Sequence, residues 1–197
     1  MDLQKINVKF FAADARGVRL EEFIGVFNSW IQASDGAYYD IADYSHVPAG
    51  PGIVLVAHEA NVSIDCGGNR MGLLYNRKQP LAGTNQDKLK AAFKAALEYC
   101  LKLEREPALG GKLKFLGNEA LLIVNDRLLA PNSEETFRAV KPEMESFARA
   151  LYRGAEFSFE RDPDPRKRFN LSVRTPAATS VEALLESLSE AQGERAT

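Results

Sequence analysis

Histidine, cysteine and long apolar runs are scarce in this chain, and each shortage removes a class of chemistry. The 197 residues include two histidines and two cysteines. Cys66 and Cys100 lie far apart, with neither CxxC nor any other zinc-ligand spacing. They read as reduced, buried residues behaving as small hydrophobes. No stretch approaches the ~18 apolar residues that a membrane helix needs, and the longest greasy segment, Ile53 to Ala57, is strand-sized. Behind Met1 there is no apolar run after a basic start, so no secretory leader is expected. Charge of one sign is also missing. A formal net charge of −2 provides no overall positive field to recruit nucleic acid or an anionic membrane. GxSxG, HExxH, GxGxxG and GxxxxGK[ST] are all absent. What is present, 45% hydrophobic and 26% charged residues, excludes disorder as a whole-chain state. The expectation is a cytoplasmic protein that engages neither membrane nor nucleic acid.

Periodicity supplies the architecture. Ile6, Val8 and Phe10 alternate with Asn7 and Lys9, as in a half-buried strand. From Leu20 the period becomes helical through Phe23, Ile24, Phe27 and Ile31, with Glu21 and Glu22 in the first turn and Ser34-Asp35-Gly36 as the stop. Tyr38–Tyr44, Ile53–His58, Val62–Cys66 and Met71–Asn76 then read as strands, the last three as an antiparallel meander. Ile53–Ala57 is apolar on both faces and is expected to be an interior strand covered on each side. Residues 87–103 form a strong amphipathic helix with Cys100 on its core side.

Strands are expected at Leu113–Leu116 and Ala120–Val124, around a turn at Gly117-Asn118-Glu119. A helix from about Ser133 to Gly154 follows, kinked or restarted at Pro142. Phe157 and Phe159 pair with Phe169, Leu171 and Val173 in a hairpin, setting Glu160 opposite Arg168 or Glu156 opposite Arg174. Thr179-x-x-Glu182 reads as the capping box of a last helix. The fold class is therefore α+β: an antiparallel or mixed sheet of about nine strands covered by four helices.

The chain reads as one domain over residues 1–197, with halves at 1–80 and 81–190 and a frayed tail at 191–197. Residues 73–104 resemble residues 122–152 in layout: apolar strand, Asn, Arg-containing loop, second Asn, amphipathic helix. A duplicated strand-loop-helix unit would produce this, and so would patterning alone. Trp30 and Phe27 together exceed what one sheet face is expected to bury, which leaves homodimerisation through leftover apolar surface open.

Two regions hold candidate chemistry. The first is residues 40–60, with both histidines. Asp40, His46, His58 and Glu59 are residue types that hold zinc, iron or manganese, and Asp43 could then serve as general base to a metal-activated water. Asp43, His46 and His58 are the catalytic candidates of that reading. The spacing argues against it, because Asp40 and Asp43 would face opposite sides of a strand and His58 and Glu59 diverge. The alternative is a Pro/Gly loop feeding a buried strand.

The second region is a pair of strand-to-helix loops, Asn76-Arg77-Lys78 and Asn125-Asp126-Arg127, which carry cations towards helix N-termini where anions are favoured. The leading functional expectation is a non-catalytic module without cofactor that binds a small anionic molecule or a protein partner through Asn76, Arg77, Lys78, Asn125 and Arg127. A metal-assisted hydrolase or lyase is the second reading, and a structural or assembly protein the third.

Overall fold

Ile6–Ala12 forms the strand β1, and its period of two sends Ile6, Val8 and Phe10 to one face and Asn7, Lys9 and Phe11 to the other. This strand lies inside the sheet of the computed structural model, which describes residues 1–14 and 16–193. The other strands are β2 (Tyr38–Tyr44), β3 (Gly52–Ala57), β4 (Ala60–Asp65), β5 (Gly72–Arg77), β6 (Phe115–Val124), β7 (Ser158–Glu160) and β8 (Phe169–Arg174). They form one sheet in the order β2-β3-β4-β5-β1-β6-β8-β7, antiparallel at every pairing.

Four α-helices are present among the described residues: α1 (Glu22–Ala33), α2 (Asn85–Glu104), α3 (Glu134–Leu151) and α4 (Val181–Gly193). The class is α+β. Of the tail expected to fray, residues 194–197 lie outside the described residues.

The helices cover one face of the sheet. Across the strands, Leu55, Val62, Tyr75, Val8, Leu122 and Leu171 stand level and are all buried in one hydrophobic cluster with the helix side chains. Phe93 of α2 ties the layers together: its ring meets Phe10 edge-on at 6.1 Å and Phe147 of α3 at 4.6 Å. Phe27 and Trp30 are buried as well, and Trp30 Nε1 donates to Glu106 at 3.0 Å. The apolar surplus expected at α1 is thus absorbed within the chain. No helix among the described residues is long and apolar enough to cross a membrane.

Several local expectations are corrected, each for a physical reason. The strands expected at 113–116 and 120–124 are one ten-residue strand, β6, so the sheet has eight strands rather than about nine. Gly117 is there for close approach and not for turning: a Cβ at this position would meet the carbonyl oxygen of Thr179 at 2.4 Å. The β7–β8 register places Phe159 opposite Val173 and Glu160 opposite Ser172, so neither expected charge pair forms directly. The connection is wider than expected because Asn132 Nδ2 donates to the carbonyls of Asp162 and Asp164, both at 2.8 Å, and holds that loop open. Ser180, not Thr179, caps α4, accepting from the Ala183 amide at 3.1 Å. Pro142 sits inside a continuous α3. For α2 the sequence held an unread signal: Thr84 and Asp87 form a capping box one turn before the expected start.

The largest correction concerns β3. Ile53 and Leu55 are wholly buried under the helices, whereas Val54 and Val56 line an open groove. Apolar character on both faces marks an interior strand whose second face is not covered by the described residues.

Candidate functional site

The face of the sheet turned away from the helices carries three rows of side chains at successive levels. In the first, Val56, Asn61, Asn76, Asn7, Ile123 and Asn170 follow one another from β3 to β8. In the second, Val54, Ser63, Leu74, Lys9, Leu121 and Ser172 do so. The third contains Asp65, Gly72 and Phe11, with Glu119 opposite Arg174 beyond a bulge in the β1–β6 ladder. Asparagine is a poor strand former, so four asparagines on one level are a property of this face and not of the strands that supply them.

Asn7 is wholly buried, and neither atom of its side-chain amide has a hydrogen-bond partner; Asn61 Oδ1 is also buried without one. An unpaired buried amide is a standing cost to the fold.

The third row is a connected ion network. Lys9, 2% exposed, donates from Nζ to Asp65 Oδ2 at 2.6 Å, to the Gly67 carbonyl at 3.0 Å and to the Arg70 carbonyl at 2.7 Å. All three ammonium donors are thereby used. Glycine at position 72 leaves room for this side chain, since a Cβ there would stand 3.0 Å from Lys9 Cε and 2.3 Å from the Phe10 carbonyl oxygen. Arg70 grips Glu119 with two bonds of 2.7 and 2.9 Å and lies over the Phe11 ring at 3.7 Å. Arg174 reaches Glu119 at 3.0 Å and Glu160 at 3.5 Å.

The bonds from Arg70, and then those from Arg174, hold the Glu119 carboxyl below its ordinary value of 4.5, against the opposing effect of burial. A depressed folded-state value means that this contribution is present above pH 4.5 and is lost as pH falls from there through the folded value. We expect urea unfolding to show a stability gap between wild type and Glu119→Gln that is full at neutral pH and closes as pH falls below 4.5. A gap independent of pH would mean that the charge of Glu119 does not hold the network.

The open face is bounded by Tyr44 at the end of β2 and the β2–β3 loop, with Ala49 and Pro51, and by the loop between β7 and β8, with Arg166, Lys167 and Arg168. Between these walls lies a groove of about 920 Å³. Seven cations (Lys9, Arg70, Arg127, Arg166, Lys167, Arg168 and Arg174) line it against three carboxylates, Asp65, Glu119 and Asp162. Each of those carboxylates is held in an ion pair: Asp65 by Lys9, Glu119 by Arg70 and Arg174, Asp162 by Lys167. Arg127 has no partner among the described residues, and Arg168 bonds only the neutral Asn125 Oδ1, at 3.3 Å. No histidine and no cysteine is among the lining residues.

The two loops expected to cooperate do leave the same end of the sheet. β5 and β6 both run antiparallel to β1, so Asn76 and Ile123 stand level on either side of Asn7. Asn76 and Arg127 line the groove, and Asn125 holds Arg168 beside it. Asp126 fixes this second loop by accepting from the Leu128 and Leu129 amides and from Lys5. Arg77 is diverted, pairing with Glu59 and donating to the Gln79 carbonyl at 2.9 Å. Lys78 is exposed outside the groove.

The histidine region is not brought together. His46 lies in the loop before β3 and His58 in the turn after it, so the length of that strand, ~20 Å, separates them. Both are exposed. Asp40 takes the Ile41 amide, Asp43 accepts the Ser45 amide at 2.8 Å, and Glu59 is engaged by Arg77. Among the described residues no group of three or more His, Cys, Asp or Glu side chains could hold a metal ion.

Sequence reasoning missed Asn7, Asn61, Asn170, Lys9, Asp65, Arg70, Glu119 and Arg174. The available signal was the pair Asn7 and Lys9 on a strand with Ile6, Val8 and Phe10, which reads as an ordinary wet face until that strand is placed inside the sheet. No family model matches the chain, and comparison with curated proteins and with solved structures found no similar protein.

Proposed function

We propose that the protein is a binding module that receives an anionic ligand on the open face of its sheet. One observation carries this reading: of the seven cations that line the groove, five are paired with carboxylates among the described residues and two, Arg127 and Arg168, are not, on a chain whose net charge is −2. Charge segregated in this way, over a partly apolar floor, raises the local concentration of anions and fixes their orientation. Lys9 and Arg70 are consumed by the network beneath the groove, whereas Arg127 and Arg168 face it without a carboxylate. Those two are the contacts assigned to the ligand, with Asn76 beside them. Binding rather than proton transfer is favoured because each lining carboxylate is already paired. The free state of Cys66 and Cys100 fits a reducing compartment, and we place the module in the cytoplasm on that ground.

Titration calorimetry with pyrophosphate, citrate and polyglutamate at low ionic strength tests the reading. At least one polyanion is expected to bind, with affinity falling as salt rises. Arg127→Ala and Arg168→Ala should each weaken it about tenfold, the size of one lost charge-assisted contact. Lys94→Ala, on the helix layer in an i,i+4 pair with Glu98, should leave binding unchanged. Absence of binding by all three polyanions, or equal loss with Lys94→Ala, would remove the proposal.

A further inference from the structure

Resting on the anion-binding reading, we propose that the natural ligand is an extended peptide segment bearing both acidic and apolar side chains, laid across the strands of the open face.

Dimensions come first. The lined surface runs from β2 to β8, seven strands in the sheet order. At ~4.8 Å per strand that is ~29 Å, the reach of about nine extended residues. A long open trough suits a chain better than a compact metabolite, which proteins normally enclose on most sides.

The floor then selects for a peptide. Asn61 and Asn76 present primary amides to the groove, on one level with Asn7, which is wholly buried, and Asn170, whose amide is spent on the Arg168 carbonyl and the Asp162 amide. Each such amide offers both a donor and an acceptor, the complement of a peptide unit's C=O and N–H. Asn61 and Asn76 line the groove, and behind them the Asn7 amide is buried with both atoms unpartnered. The neighbouring level offers Val54, Leu74 and Leu121 to apolar side chains. Arg127 and Arg168 at one end then meet carboxylates.

Other occupants fit less well. Single-stranded nucleic acid binds by stacking bases on exposed rings, but the Phe11 ring is covered by Arg70 at 3.7 Å. Tyr44, at the rim, is then the one aromatic ring left facing the groove among the described residues. A second copy of this chain would oppose two cation-rich faces, and like charges in an interface are costly.

The test is fluorescence anisotropy with a labelled peptide of about nine residues alternating glutamate and leucine. Polyglutamate of equal length, pyrophosphate and oligothymidylate serve as comparators. We expect the Glu/Leu peptide to bind about tenfold more tightly than polyglutamate, through its apolar side chains. Methylating alternate backbone nitrogens of that peptide should cost about tenfold on the wild-type protein, a result independent of any variant's folding. Asn61→Ala, which spares Arg127, Arg168 and Asn76, should weaken the peptide several-fold and leave pyrophosphate within about twofold. If neither pyrophosphate nor any peptide binds, the anion-binding reading itself falls. If anions bind but leucine adds nothing, or methylation costs nothing, or oligothymidylate binds more tightly than every peptide, the peptide assignment alone is overturned.

Discussion

Replacing Lys9 by methionine should lower the stability of the protein by about 3 kcal/mol, the largest loss we expect from any change on the open face. Methionine keeps the unbranched stem, so the loss comes from the ammonium group and not from a cavity. Without it, Asp65, 13% exposed, keeps its charge but loses its cation, and the carbonyls of Gly67 and Arg70 lose their donor. Removing one partner of a buried pair costs far more than the pair itself contributes, because the remaining charge stays desolvated. At the usual scaling for a chain of this size the midpoint of thermal unfolding falls by on the order of 10 °C. Adding Asp65→Asn to Lys9→Met should recover part of the loss. A single variant within about 1 kcal/mol of wild type would mean that water satisfies Asp65 after the ammonium is gone.

The second large effect has the opposite sign. Asn7→Leu should stabilise the free protein by about 1–2 kcal/mol. The Asn7 amide is wholly buried with neither atom bonded, so the fold bears its desolvation without return. Leucine has nearly the same shape and nothing to desolvate, and its immediate neighbours on that face include Ile123. The urea midpoint should rise with an unchanged denaturant slope. The same variant should bind the Glu/Leu peptide less well. Stability gained with binding lost is the signature of a group kept for function. A destabilised Asn7→Leu would instead assign the amide a structural role.

How much of this was legible beforehand differs by element. The helix at residues 85–104 announces itself through Leu89, Ala92, Phe93, Ala96 and Cys100, because helical periodicity is a local property. The meander β3-β4-β5 was readable too, since short turns leave consecutive strands little choice but to pair. The hairpin register was not, because a long loop held by Asn132 counts residues differently from a tight turn. Gly117 was misread for a related reason: a glycine that admits a neighbouring backbone and a glycine that turns are the same letter. The paired loops were half legible. Their shared end of the sheet follows from their similar layout, but the diversion of Arg77 depends on Glu59 arriving from the β3–β4 turn.

The sequence by itself determined which residues share a face of each element, and hence the α+β class, the helix layer and the pairing of Asn7 with Lys9 on one side of β1. Strand neighbours were decided only by the tertiary structure. Inserting β1 between β5 and β6 sets Lys9 beside Asp65 and the Arg70 carbonyl, and sets Asn7 level with Asn61, Asn76 and Asn170. The reason is physical: facing follows from a period of two residues, whereas adjacency follows from which distant strands bury their apolar faces together under the same helices.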